Sequence, residues 1–198
     1  MPERIATGQW LITRGTRWFF DSGAVSLDFA HTGTNWGPAE WEQLHAPADL
    51  GGWLAERYPR LDADPTEREL ADALALRGAI WSIAAALSEQ RTPGAEDVDT
   101  VNLFAAMPDV PPALTGGRRQ AGAGRIRVGQ ALSALARDAV HLFDHELDDP
   151  DHRIRQCDGD RCALVFYDES RTNNRRWCSM QRCGNRAKVR AFRERSKP

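Results

Sequence analysis

The chain has 198 residues, 41% of them hydrophobic and 27% charged, with a formal net charge of −2. That length accommodates one domain with a real core plus a small module, and the composition is that of an ordinary globular protein. No apolar run reads as long enough to cross a bilayer, and MPERIATGQWLITRG lacks the basic-then-apolar layout of a secretory signal, so no membrane partner and a reducing, cytoplasmic setting are expected.

Trp18-Phe19-Phe20, Asp21-Ser22-Gly23 and Ala24 to Phe29 read as two strands around a tight turn. In the second arm Val25, Leu27 and Phe29 alternate with Ser26 and Asp28, which makes one face apolar. His31 to Asn35 reads as a loop, and Ala48 to Tyr58 as a short helix stopped by Pro59. The strongest helix signal opens at Asp64-Pro65-Thr66-Glu67. There Asp64 can cap, Pro65 suits the first helical position, and Glu67 sits where a capping box wants a carboxylate. Leu70, Leu74, Ile80, Ile83 and Leu87 then recur at helical spacing, with Trp81 beside them, to about Glu89. A third helix is expected from Ala95 to Ala106, with Val98, Val101 and Phe104 on one face. Residues 111–127 read as a Pro-, Gly- and Arg-rich loop with a short strand at Arg125 to Val128, and a fourth helix runs from Gln130 to about Glu146. Asp148-Asp149-Pro150-Asp151 marks the expected boundary. Beyond it Arg153 to Gln156 is extended, Ala163 to Tyr167 is a strand, Asp168 to Arg176 is a polar turn region, and Ser179 to about Arg195 is a basic helix. The expected class is α+β, mostly α: a helical body with a small N-terminal β-hairpin over residues 1–150, and a treble-clef-like zinc module over 151–198.

All four cysteines lie in that last segment, at Cys157, Cys162, Cys178 and Cys183, in the spacing C-x4-C-x15-C-x4-C. Two close pairs joined by a medium spacer let each pair grip a tetrahedral ion from one local turn. Cys157 and Cys162 flank the turn-prone Asp158-Gly159-Asp160-Arg161. Cys178 and Cys183 stand at the start of the basic helix. Two disulfides, or four unrelated thiols, are the other readings, and both need explaining in a reducing compartment with all four clustered. Four sulfur ligands leave no open position for water, so one structural zinc ion is expected rather than a catalytic one.

The same segment is basic. From residue 151 onward 13 Lys and Arg face 6 Asp and Glu, whereas the first 150 residues hold 13 against 22. An acidic body with a basic arm suits a polyanion partner. On the last helix Arg182, Arg186, Arg190 and Arg193 fall at i, i+4, i+8 and i+11, with Lys188 nearby. Met180, Ala187, Ala191 and Phe192 are available to face the module. The helix is expected to approach the major groove of DNA while Arg171, Arg175 and Arg176 hold the backbone. Gly184 can instead permit close packing, Asn185 can cap, and Arg186 can bond back to the knuckle; these structural roles are preferred for Gly184 and Asn185.

The stretch CDGDRCALVFYDESRTNNRRWCSMQRCGNRAKVRAFRER resembles the CGNR zinc-finger family, named for the tetrapeptide standing here as Cys183-Gly184-Asn185-Arg186. Phe20-Asp21-Ser22-Gly23 followed by Leu27-Asp28-Phe29 is similar to the start of the ABATE domain that usually precedes this finger. His31 departs from that pattern, which more often has Asn. The resemblance covers nearly the whole chain and implies a stress-induced transcription regulator.

The body offers few catalytic signals. His141 and His145 are spaced i, i+4, but HLFDHE lacks the internal glutamate of a zincin, and helix-end placement is the preferred account. Gly122-x-Gly124 lacks the setting of a phosphate loop. Asp28 and His31 can form an acid–base pair. Arg77 interrupts an apolar helix face and can hold a carboxylate ligand or bond a neighbouring loop, the commoner arrangement. Trp36, Trp41, Trp53 and Trp81 read as packing residues. A small-molecule effector, if bound, is expected where the Asp28–Thr34 loop meets the helix carrying Arg77 and Trp81. The leading function is a DNA-binding regulator responsive to an effector, with homodimerisation possible. The alternatives are a small-molecule enzyme with the finger as a structural cap, marked by a pocket with converging His and Asp, and a protein adaptor, marked by an exposed apolar patch on the finger.

Overall fold

The computed structural model of the protein describes residues 6–13, 15–33, 41–58, 60–111, 125–144, 146 and 148–195. Its elements, in chain order, begin with β1 (Gln9–Thr13), β2 (Thr16–Phe20), α1 (Val25–Ala30), α2 (Pro47–Ala55), β3 (Arg60–Leu61) and α3 (Glu67–Ser88). There follow α4 (Ala95–Ala105), β4 (Arg125–Ile126), α5 (Val128–Phe143), β5 (Ile154–Gln156) and β6 (Val165–Tyr167). A π-helical turn (Met180–Gly184) then leads into α6 (Asn185–Arg195). The strands form three two-stranded pairs: antiparallel β1–β2 and β5–β6, and parallel β3–β4.

The protein is thus α+β and mostly helical, with an N-terminal hairpin, but the hairpin is one strand earlier than the sequence suggests. β2 pairs back onto β1, with Thr13 opposite Thr16 and the chain reversing at Gly15, whose φ is +74°. The expected second strand, Val25 to Phe29, is α1. Its alternation misleads because the polar positions are as buried as the apolar ones. The Ser26 amide donates to Asp138 Oδ2 at 2.9 Å, and Asp28 receives Ser22 Oγ at 2.6 Å. A fully buried short helix and a half-buried strand present the same pattern over five residues. Asp21-Ser22-Gly23 is a turn, but one joining β2 to α1. Gly23 has φ +84°, and a Cβ there would lie 2.6 Å from Tyr167 O, so both conformation and space demand glycine.

α3 is the spine. Thr66, not Asp64, caps it: Glu69 N donates to Thr66 Oγ1 at 3.3 Å, and Thr66 N donates to Glu69 Oε2 at 2.8 Å. Pro65 stays outside the helix, packed against Gly51 of α2. Leu70, Leu76, Ile80, Ile83 and Leu87 point into the main core, shared with α1, α2, α4 and α5. α3 is the helix, among those described, with the length and apolarity of a membrane span, yet it packs as a core helix. α5 begins at Val128, two residues before the expected start.

The C-terminal segment is fastened to the body at several points. Ile154 and Val165 enter the main core. Glu146 Oε1 accepts Ile154 N at 2.7 Å, and Ser22 O accepts Tyr167 N at 2.8 Å. A second core forms where Leu11, Phe20 and Trp41 meet Leu164, Phe166 and the cysteines. The hairpin therefore packs with the cysteine module.

Candidate metal centre and nucleic-acid interface

The knuckle around Cys157 and Cys162 is shaped by backbone bonds. Cys157 N donates to Leu164 O at 2.9 Å, Cys162 N donates to Gly159 O at 3.0 Å, and Arg161 takes φ +56° to close the turn. The second pair is brought to it by the turn after β6. Buried Asp168 organises that turn: Oδ1 accepts Ser170 N at 2.9 Å and Oδ2 accepts Arg175 N at 2.7 Å. Burial would push its carboxyl up, but these bonds hold it below the usual range. Cys178 then precedes the π turn that carries Cys183, a local widening where the sequence suggests an ordinary helix start.

The four sulfurs lie within 4.8 Å of one another, and all four are free thiols rather than disulfides. Cys162 Sγ is 3.9 Å from Cys178 Sγ, which is 3.5 Å from Cys183 Sγ. A zinc ion with bonds of about 2.3 Å to four sulfurs sets them roughly 3.8 Å apart, so the cluster is able to bind one zinc ion tetrahedrally. The surroundings suit thiolates. Cys157 Sγ accepts Cys178 N at 3.2 Å and Gly159 N at 3.4 Å, and Cys183 Sγ accepts Arg186 Nη2 at 2.9 Å. Hydrogen bonds from Cys162 and Cys178 bring the Cys157 thiol down to about 7. Those from Cys157, Cys162 and Cys178, with Arg186 adding, lower Cys183 as well. Cys162 and Cys178 are raised in turn, chiefly by their bonds to Cys157. With Cys157 and Cys183 favoured as thiolates and Cys162 and Cys178 held as thiols, a cation among them would release the remaining protons and relieve the repulsion of four sulfur anions.

The basic residues fall into two groups. Arg175 is a brace: Nη2 donates to Asp21 O at 2.7 Å and Cys178 O at 2.9 Å, Nε donates to Trp177 O at 3.2 Å, and the guanidinium lies 4.0 Å from the Phe166 ring centre. Arg182 lies over Trp18 at 4.4 Å and near Trp41 at 5.9 Å. Arg186 is engaged by Cys183, as the structural alternative for that residue anticipates. Exposed are Arg171, Lys188 and Arg193, together with Arg176, paired to Asp158 at 2.7 Å, and Arg190, 3.7 Å from Asp160. The last-helix arginines therefore do not form one free stripe.

Other expectations for this helix change too. Met180 packs on Gly184 but stays 48% exposed, Phe192 is 65% exposed, and Val189 is 48% exposed. Ala187 and Ala191 are half-buried, and α6 has no buried residue. Asn185 Nδ2 donates to Gln181 O at 3.5 Å, and Gly184 packs against Met180 and Trp177.

In the body, Asp28, His31 and Arg77 are buried and Trp81 is half-buried on α3. Arg77 bonds a neighbouring loop: Nη1 donates to Thr32 O at 3.3 Å, and Nη1 and Nη2 reach the two carboxylate oxygens of Glu42 at 2.7 and 2.9 Å. Asp28 Oδ2 accepts Gly8 N at 2.6 Å, and burial raises its carboxyl to about 6. His31 Nε2 lies 2.7 Å from Val165 O, an acceptor, so that nitrogen carries the proton; burial lowers the imidazole to about 4. Asp28 and His31 thus turn to different partners. Thr34, Asn35, Trp36, Gly122, Gly124 and His145 lie outside the described residues. His141 is exposed.

Sequence reasoning missed Glu42, the close approach of Gly159 to Cys183, and a half-open cleft of about 1010 Å³ between β1–β2 and the cysteine module. No local pattern marks this cleft, since its walls come from opposite ends of the chain.

The CGNR zinc finger family model matches residues 153–196, and the ABATE model, described as "Putative stress-induced transcription regulator", matches residues 23–146. The β1–β2 hairpin lies outside both spans. No curated protein matches the chain.

Proposed function

Because the chain belongs to the ABATE family and carries a CGNR zinc finger, we propose that it is a DNA-binding transcription regulator of the cytoplasm whose zinc-organised module offers α6 to a duplex. The supporting observation is α6 itself. It has no buried residue and exposes Lys188, Arg190, Arg193 and Arg195 against one acid, Glu194. A helix packed so lightly on its own module is free to enter a groove, and exposed guanidinium groups suit phosphates and guanine edges. Arg171 and Arg176, exposed on the turn before Cys178, are placed to hold the backbone.

Fluorescence anisotropy of the zinc-loaded protein with labelled genomic fragments tests this reading. Affinity is expected to fall steeply between about 50 and 200 mM salt. K188A/R193A is expected to weaken binding to every fragment. Absence of binding to any duplex at low salt overturns the reading.

We infer that an effector, where one binds, enters the body near Asp28, His31, Arg77 and Trp81 and competes with Glu42 for Arg77. A thermal-shift screen of metabolites against the full chain tests it, and a flat response counts against it. The exposed Met180, Val189 and Phe192 favour a second reading, in which α6 docks on a protein. Retained DNA binding by V189S/F192S separates the two.

A further inference from the structure

We propose that the cleft between the β1–β2 hairpin and the cysteine module seats one sugar-phosphate strand of the bound DNA, making the hairpin a second wall of the interface. This rests on the DNA-binding reading and extends it to residues outside both family spans.

Three observations carry it. The first is charge. Arg17 on the hairpin side and Arg161, Arg182, Arg186 and Arg190 on the module side all line the cleft, against Asp158 and Asp160. Asp158 is already paired with Arg176, and Asp160 lies beside Arg190. Arg17, Arg161 and Arg182 have no carboxylate partner among the described residues, so the cleft keeps a surplus of cation. Arg17 and Arg161 are exposed, Arg17 lying over the Trp10 ring 4.5 Å from its centre.

The second is Arg182 Nη1, which is buried without a hydrogen-bond partner among the described residues. The guanidinium lies over Trp18, 4.4 Å from the ring centre. That donor is unspent within the described residues, and a phosphate oxygen satisfies it once the guanidinium turns outward into the cleft.

The third is continuity. Arg186, Ala187 and Arg190 line the cleft and also belong to α6, so a strand leaving the cleft runs onto the helix already assigned to the duplex. The cleft, about 1010 Å³ and half-open, stands at or above the upper end of small-ligand pockets. Base stacking is not its chemistry. Trp41 is 5% exposed, and Arg182 covers Trp18. The contacts therefore position the duplex without reading its sequence.

The test uses the zinc-loaded full chain, a labelled duplex, and Arg17→Ala with Arg161→Ala. Both side chains are exposed and neither bonds a cysteine sulfur, but Arg161 precedes Cys162 in the knuckle, so thermal unfolding and zinc content matching wild type are required of the variant. The double variant is expected to bind every duplex about tenfold more weakly at low salt and to lose roughly 2 from the slope of log affinity against log salt. Arg17→Lys with Arg161→Lys should restore most of the slope, because charge rather than fork geometry acts here. Unchanged affinity and slope in the alanine variant, while K188A/R193A loses binding, overturns this inference and leaves the DNA-binding reading standing. No binding by wild type overturns both. Adenosine monophosphate binding that Arg161→Ala abolishes, with duplex affinity untouched, assigns the cleft to a small phosphorylated ligand and overturns the strand proposal.

Discussion

Gly159 runs so close to Cys183 that a Cβ on it would lie 2.6 Å from the sulfur and 2.9 Å from the cysteine Cβ. The knuckle of the first cysteine pair is thus pressed directly against a ligand of the second. Gly159→Ala forces the two apart and should lower zinc affinity by about tenfold or more, by the measure of altered metal surroundings. Competition with a chromophoric chelator reads this directly. Wild-type affinity in the alanine variant would show that the knuckle yields without disturbing the site.

Arg186 bears on the same sulfur from the other side, with Nη2 2.9 Å from Cys183 Sγ. The bond to the thiolate raises the guanidinium pKa, so its charge is secure. Arg186→Ala should release zinc to a chelator about 10–100 times more readily, and Arg186→Lys should recover part of the loss. Equal release from all three proteins would mean that the contact adds nothing to metal retention.

The Arg77–Glu42 pair ties the segment after α1 to the middle of α3. Removing only the guanidinium leaves a half-buried carboxylate held, among the described residues, by the Gln43 and Leu44 amides alone. Arg77→Met should therefore cost about 3–5 kcal/mol in urea unfolding, and Arg77→Met with Glu42→Leu distinctly less. Gly33→Ala should also destabilise, because its Cβ would fall 2.2 Å from Arg77 Cζ. A double variant as unstable as the sum of the singles would break the assigned coupling.

Two buried groups on or beside α1 pull the pH profile in opposite directions. Asp28 is raised from 3.8 to about 6, so between those values the folded state holds more protons and its stability falls as pH rises. His31 is lowered from 6.5 to about 4, so there the unfolded state holds more protons and stability rises with pH. The two nearly cancel in wild type. Against His31→Asn, wild type should gain up to about 1.4 kcal/mol per pH unit from pH 4 towards 6.5 and hold steady above that. Zinc loss affects both proteins and drops out of the difference. A stability gap independent of pH would show that the imidazole titrates alike folded and unfolded.

Much of this architecture is legible locally. The apolar spacing of Leu70, Ile80, Ile83 and Leu87 is enough to find α3, because a 22-residue helix repeats its signal several times. Asp64 and Thr66 each offer a capping oxygen with a glutamate three residues on, and the box forms at Thr66 and Glu69. Val25 to Phe29 is too short for the period to declare itself, and the burial of Ser26 and Asp28 depends on partners elsewhere in the chain.

By itself the sequence determined that two cysteine pairs stand in the spacing of a zinc site, each on a local turn or helix start, while the Asp168 turn brings the pairs together. It also determined that positive charge collects at the carboxy end. Only the tertiary structure decided how that charge is divided. Arg175 reaches Asp21, Arg182 lies on Trp18, and Arg186 turns to Cys183, leaving other cations outward. A guanidinium is committed or free according to what packs beside it, and here two of those neighbours come from the opposite end of the chain.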